Sequence, residues 1–168
     1  LEGGNDKSYE NSRIALDNVV ASKFDWVEVD VQTTGDGIPI LMHDPYIQLS
    51  NHEKVAVNSL TLEQIISILG ENKVLTLEEA VSMYSDKINM LIEVKEVAHI
   101  SEILHTGREV ARIVRERQSK NKIIVDSFQE DLIVSIKHQC NCETGLDTPF
   151  KKKLDKQALK YIKSMNMD

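Results

Sequence analysis

At 168 residues, 41% hydrophobic and 28% charged, the chain has the size and composition of one soluble globular domain. Its formal net charge of −7, from 20 basic and 27 acidic residues, argues against a nucleic-acid surface and suits an enzyme or a cation binder. No apolar run approaches the roughly 20 residues of a membrane span and no signal peptide is visible, which leaves the compartment open between the cytoplasm and a secreted or periplasmic location.

Residues 1–8 are polar and Gly-rich and read as loop. Asn11 or Ser12 can cap a helix in which Ala15, Leu16, Val19 and Val20 recur at helical spacing, to about Lys23. The run WVEVDVQ then alternates strictly. Val27, Val29 and Val31 face one way, and Trp26, Glu28 and Asp30 the other. The valines fit a strand packed on helices. The acids opposite them fit either a surface strand or a metal site. Gly35-Asp36-Gly37 supplies a turn, and an apolar strand from Ile38 to Met42 delivers His43-Asp44-Pro45.

From Pro45 to Ser59 the chain is polar and reads as one long loop. Thr61-x-x-Gln64 and Thr76-x-x-Glu79 are capping boxes that open two helices. The first carries Leu62, Ile65, Ile66 and Leu69 and ends at Gly70; the second carries Leu77, Ala80, Val81 and Tyr84. INMLIEVK repeats the earlier strand, with Leu91, Glu93 and Lys95 on one face and Ile92 and Val94 on the other. A long helix over 97–118 buries Val110, Ala111, Ile113 and Val114. Its arginines, Arg108, Arg112, Arg115 and Arg117, interleave with Glu109 and Glu116 and so form a solvated face instead of a phosphate patch. A strand over 123–126, a helix over 129–138, a short strand over 140–146 and a helix over 154–166 complete the chain.

Cys140 and Cys142 are two residues apart. That spacing rarely bridges without strain, and with His138 it falls short of a tetrahedral metal site, so free thiols are expected. His52, His99, His105 and His138 read as surface histidines. Helices alternating with strands predict parallel βα units, in a doubly wound sheet or a (β/α)₈ barrel. No G-x-G-x-x-G follows a strand, so a dinucleotide site has no support.

The stretch VEVDVQTTGDGIPILMHDP resembles the N-terminal signature of the glycerophosphodiester phosphodiesterase family: an acid-x-Asp strand, a Thr-x-Asp-Gly turn and a strand ending in His-Asp. YENSRIALDNVV, LTLEEA, LIEVK and VDSF resemble further family segments and fall in the expected order. The resemblance implies a TIM barrel. Such barrels take about 250 residues, so the expectation for residues 1–168 is a single, incomplete barrel domain. Its first strand would precede Leu1 and its last strands would follow Asp168, or another chain would complete it.

The resemblance further implies hydrolysis of glycerophosphodiesters, small-molecule substrates, to glycerol 3-phosphate and an alcohol. One divalent cation, Ca²⁺ or Mg²⁺, would be held by Glu28, Asp30 and Glu93, an oxygen-only set suited to hard ions. His43 would transfer a proton, and Lys95 would contact the substrate phosphate or pair with Glu93 or Glu96. Ser127 would line the pocket without acting as a nucleophile. The family begins this region with His-Arg-Gly. With Gly3 aligned to that glycine, Leu1 and Glu2 fall at the His and Arg positions: either the family pair lies upstream of Leu1, or Leu1-Glu2 replaces it, and replacement makes a non-catalytic relative that binds the diester or a cation the competing expectation. A homo-oligomer is left open.

Overall fold

The computed structural model describes residues 10–140 and 142–147. In chain order these form α1 (Arg13–Ala21), β1 (Trp26–Thr33), β2 (Pro39–Leu41), β3 (Tyr46–Gln48), β4 (Lys54–Ala56), α2 (Leu62–Leu69), α3 (Leu77–Tyr84), β5 (Asn89–Val94), α4 (Ile100–Glu116), β6 (Ile123–Ser127), α5 (Glu130–Gln139) and β7 (Glu143–Leu146). The main sheet runs β2-β1-β5-β6-β7. β1, β5, β6 and β7 are parallel, each joined to the next through helices. This is the arc of a (β/α) barrel, not closed among the described residues.

β2 departs from the parallel pattern. It returns antiparallel on the end of β1, pairing Val31 with Leu41 and Thr33 with Pro39. A tight turn allows only that direction. The turn is held at three points: Ile38 N–H donates to Thr34 Oγ1, Thr34 Oγ1 donates to Asp36, and Asp36 accepts from the Leu62 amide at the start of α2. Burial opposes the Asp36 charge, but these donors prevail and hold its carboxyl below the usual range. Gly37 sits at φ 85, and a Cβ there would meet His105 Nε2 at 2.1 Å. Only glycine fits this corner.

The supposed long loop after Pro45 contains the β3–β4 hairpin, with Tyr46 opposite Ala56 and Gln48 opposite Lys54. Each strand is three residues long, too short to show a period. Ile47 and Val57, with Ile40 and Ile65, bury a satellite cluster beneath it. Both capping boxes form as expected, at Thr61 with Gln64 and at Thr76 with Glu79.

The main core lies between the outer face of the sheet and the helices. Val29, Val31, Ile92, Val94 and Val125 meet Val110, Ala111, Leu132 and Ile136 there. Burying one such side chain contributes about 1.5–3 kcal/mol. This burial fixes the register, because a slip of one residue would exchange the valines for the acids on the other face. That register sets Asp30 beside Glu93, Glu93 beside Asp126, and Asp126 beside Gly145.

Cys140 and Cys142 are not free thiols. They form a disulfide, with Cα atoms 5.4 Å apart. Cys140 leaves α5 in extended backbone, which brings the two positions within bridging distance. The loop expected over 1–8, Leu1 and Glu2, and the helix expected over 154–166 lie outside the described residues.

Candidate active site

Glu28 and Asp30 on β1 and Glu93 on β5 share one face of the sheet, with Asp30 and Glu93 in register. Glu28, Asp30 and Glu93 each offer a carboxylate oxygen, and these atoms lie within 4.8 Å of one another. Three like charges this close repel, so the arrangement calls for a cation. In this structure a side chain supplies one. Lys95 Nζ sits 2.6 Å from Asp30 Oδ1 and also contacts Glu93. Burial works against the Lys95 charge, but the two carboxylates outweigh it and hold the ammonium above the usual lysine range. One ammonium does not balance three acids. Glu28 keeps an exposed flank, yet its carboxyl is pushed up to about 7 by partial withdrawal from water and by the Asp30 and Glu93 charges. Because that flank meets water, the neighbouring charges are the cause that a bound cation would remove.

Asp30 is fixed from outside the strand. Asn11 accepts from the Asp30 amide at 2.9 Å and donates from its own amide to Asp30 Oδ2 at 2.8 Å. Asn11 adopts φ 56, a left-handed conformation that asparagine tolerates. It therefore braces the acid, while Ser12 caps α1 through the Ala15 amide.

The antiparallel return of β2 brings His43 to the same place. Met42 N–H donates to Asp30 C=O, and Gln32 donates to His43 C=O. His43 is exposed, with Nδ1 2.8 Å from Asp44 Oδ1. A cavity of about 550 Å³ opens here, lined by Asn11, Glu28, Asp30, His43, Glu93 and Lys95 among others. Its size suits a small-molecule site. A smaller cavity of about 300 Å³ lies beside the β1–β2 turn, near Asp36 and His105. Its Asp36 is engaged by Thr34 and Leu62 and its His105 by Gly37 C=O, whereas the larger cavity gathers the acids and His43 and is the better seat for chemistry.

The structure thus brings together Glu28, Asp30, Glu93, His43 and Lys95. Ser127 has a structural role: its buried hydroxyl donates to Val94 C=O at 2.6 Å and accepts from the Gln129 amide. Asp126, which the sequence reading passed over, is 7% exposed on the same face as Glu93. Desolvation, with the charges of Asp147, Glu93 and Glu28, pushes its carboxyl up to about 7. The signal was its place between Val125 and Ser127 at the end of a strand, but only the register with β5 gives that place meaning.

Comparison with known proteins places these residues in a family. The model of the Glycerophosphoryl diester phosphodiesterase family matches residues 2–165. A glycerophosphodiester phosphodiesterase of Arabidopsis thaliana is 24% identical over 144 residues, 78% of this chain and 44% of that protein. The human glycerophosphodiester phosphodiesterase 1 is 29% identical over 109 residues, 58% of this chain and 33% of that protein. The chain therefore spans less than half the length of these relatives. Among solved structures, an Oleispira antarctica phosphodiesterase in complex with the product sn-glycerol-3-phosphate superposes with a TM-score of 0.77 at 18% identity, over 94% of this chain and 66% of that one. A glycerophosphodiester phosphodiesterase of Thermotoga maritima gives 0.74 at 21%, over 94% and 65%. At these identities the superpositions speak for the fold.

Proposed function

From the membership of this chain in the glycerophosphoryl diester phosphodiesterase family, established by the match over residues 2–165, we propose that it forms the metal-binding part of an enzyme that hydrolyses glycerophosphodiesters to glycerol 3-phosphate and an alcohol. The observation that carries this reading is the convergence of three carboxylates within 4.8 Å on a cavity that His43 also lines.

Glu28, Asp30 and Glu93 fit a hard divalent cation, Ca²⁺ or Mg²⁺, because they offer only oxygen and hold excess negative charge. When bound, such an ion supplies Lewis-acid polarisation of a phosphoryl oxygen. The remaining work belongs to the chain. Lys95, which lines the same cavity, would offer its ammonium to a phosphate oxygen once a cation takes its place between Asp30 and Glu93. With Nδ1 donating to Asp44, His43 keeps Nε2 to take the proton of the attacking hydroxyl or to return one to the departing alkoxide. Asn11 keeps the Asp30 carboxylate oriented throughout.

Leu1 and Glu2 stand where the family signature has His and Arg, and this favours a second reading in which the chain binds the diester or a cation without turnover. One experiment separates the two. Glycerophosphocholine is incubated with the chain in Mg²⁺ or Ca²⁺, then with a chelator, and glycerol 3-phosphate is measured. Release that the chelator stops, and that His43→Ala lowers by about 10²–10⁴-fold with cation affinity retained, supports hydrolysis. Cation-dependent binding of the diester with no release supports the second reading.

A further inference from the structure

We propose that Asp126 and Asp147 hold a second divalent cation beside the one assigned to Glu28, Asp30 and Glu93. The register sets Asp30, Glu93 and Asp126 in one row across β1, β5 and β6, on the face that carries the site. Asp126 is not a member of the group whose oxygens lie within 4.8 Å of one another, so one ion at the trio does not reach it as the chain stands. Its Oδ1 is buried and, among the described residues, meets no hydrogen-bond donor, while the group that faces the acid at hydrogen-bond range is another acid, Asp147. A buried carboxylate oxygen left in that state is costly unless something positive or hydrogen-bonding arrives. The nearby ammonium, Lys95, is already engaged by Asp30 and Glu93.

The next strand brings a second acid to it. The residue paired with Asp126 on β7 is Gly145, and a Cβ there would stand 3.3 Å from the Asp126 Cβ. Glycine at 145 therefore lets the backbone of β7 lie close against the acid with no side chain crowding it. Two residues on, Asp147 donates its amide to Ser127 C=O at 2.9 Å, which anchors it at the end of β6 with its carboxyl close to that of Asp126. Two neighbouring carboxylates are a set that Mg²⁺ or Mn²⁺ accepts, with waters or a phosphate oxygen on the Asp147 side completing the coordination. The site would lie one strand along from the first, with Glu93 between them.

The proposal rests on the reading of the trio as an ion site, and counting ions separates the two. Metal-free chain is dialysed against Mn²⁺, bound Mn²⁺ is counted, and electron paramagnetic resonance reports coupling between ions. Two ions per wild-type chain, a coupled spectrum, and one uncoupled ion in both Asp126→Asn and Asp147→Asn are expected. Should Asp126→Asn fail to fold, Asp147→Asn, at a partly exposed position, decides alone. One ion in the wild type, or two retained in the variants, overturns the second subsite and leaves the trio intact. No bound ion overturns both.

Discussion

Single side chains set the pH behaviour of this chain. Without an ion, Glu28 rises from 4.5 to about 7 and Asp126 from 3.8 to about 7, each by desolvation first and by neighbouring acids second. Both shifts are upward, so between the unfolded and folded values the folded state holds protons that the unfolded state has released. That stabilisation is complete below the unfolded values and is lost as pH rises through about 7. The metal-free chain should therefore melt at progressively lower temperature from about pH 5 to about pH 8. Added Mg²⁺ should raise the melting temperature more at the upper pH, where the acids are ionised and ready to bind. A melting temperature that stays level or rises over this range, with no cation effect, would contradict the account.

Elements carry the site because of how they enter and leave the sheet. The approach to α1 places Asn11 against the edge of β1, where it makes two hydrogen bonds to Asp30. Asn11→Ala should weaken cation binding by about 10–100-fold, as is usual when a residue orienting a ligand is lost. Calorimetric titration checks this, and unchanged affinity would reduce Asn11 to a turn residue. Sequence reading reached part of this arrangement. Valines alternating with acids on WVEVDVQ and LIEVK gave two strands and their polar face, and the two capping boxes gave two helix starts. It left the Asn11 role open, since a left-handed residue ahead of a helix looks like a cap until its partner is known. It missed the β3–β4 hairpin, whose three-residue strands show no alternation, and it expected free thiols at Cys140 and Cys142 because that spacing rarely bridges without strain.

At the scale of the whole molecule, parallel pairing turns residues far apart in sequence into neighbours. Asp30 and Glu93 are separated by two helices and a hairpin, yet the register sets them side by side. The family signature anticipated that meeting. Asp126 was not anticipated, because its relation to Glu93 exists only in the pairing of β5 with β6. Among the described residues the arc leaves the barrel open. Among the described residues no helix is long and apolar enough to cross a membrane. The proposed hydrolysis stands or falls with the trio of Glu28, Asp30 and Glu93. The direct measurement is divalent-dependent release of glycerol 3-phosphate from glycerophosphocholine by the wild type and by Glu28→Gln, assayed side by side. Removing one carboxylate from the set should lower the rate by about 10²-fold or more. Equal turnover by the two proteins would show that the three acids are not the centre of the chemistry.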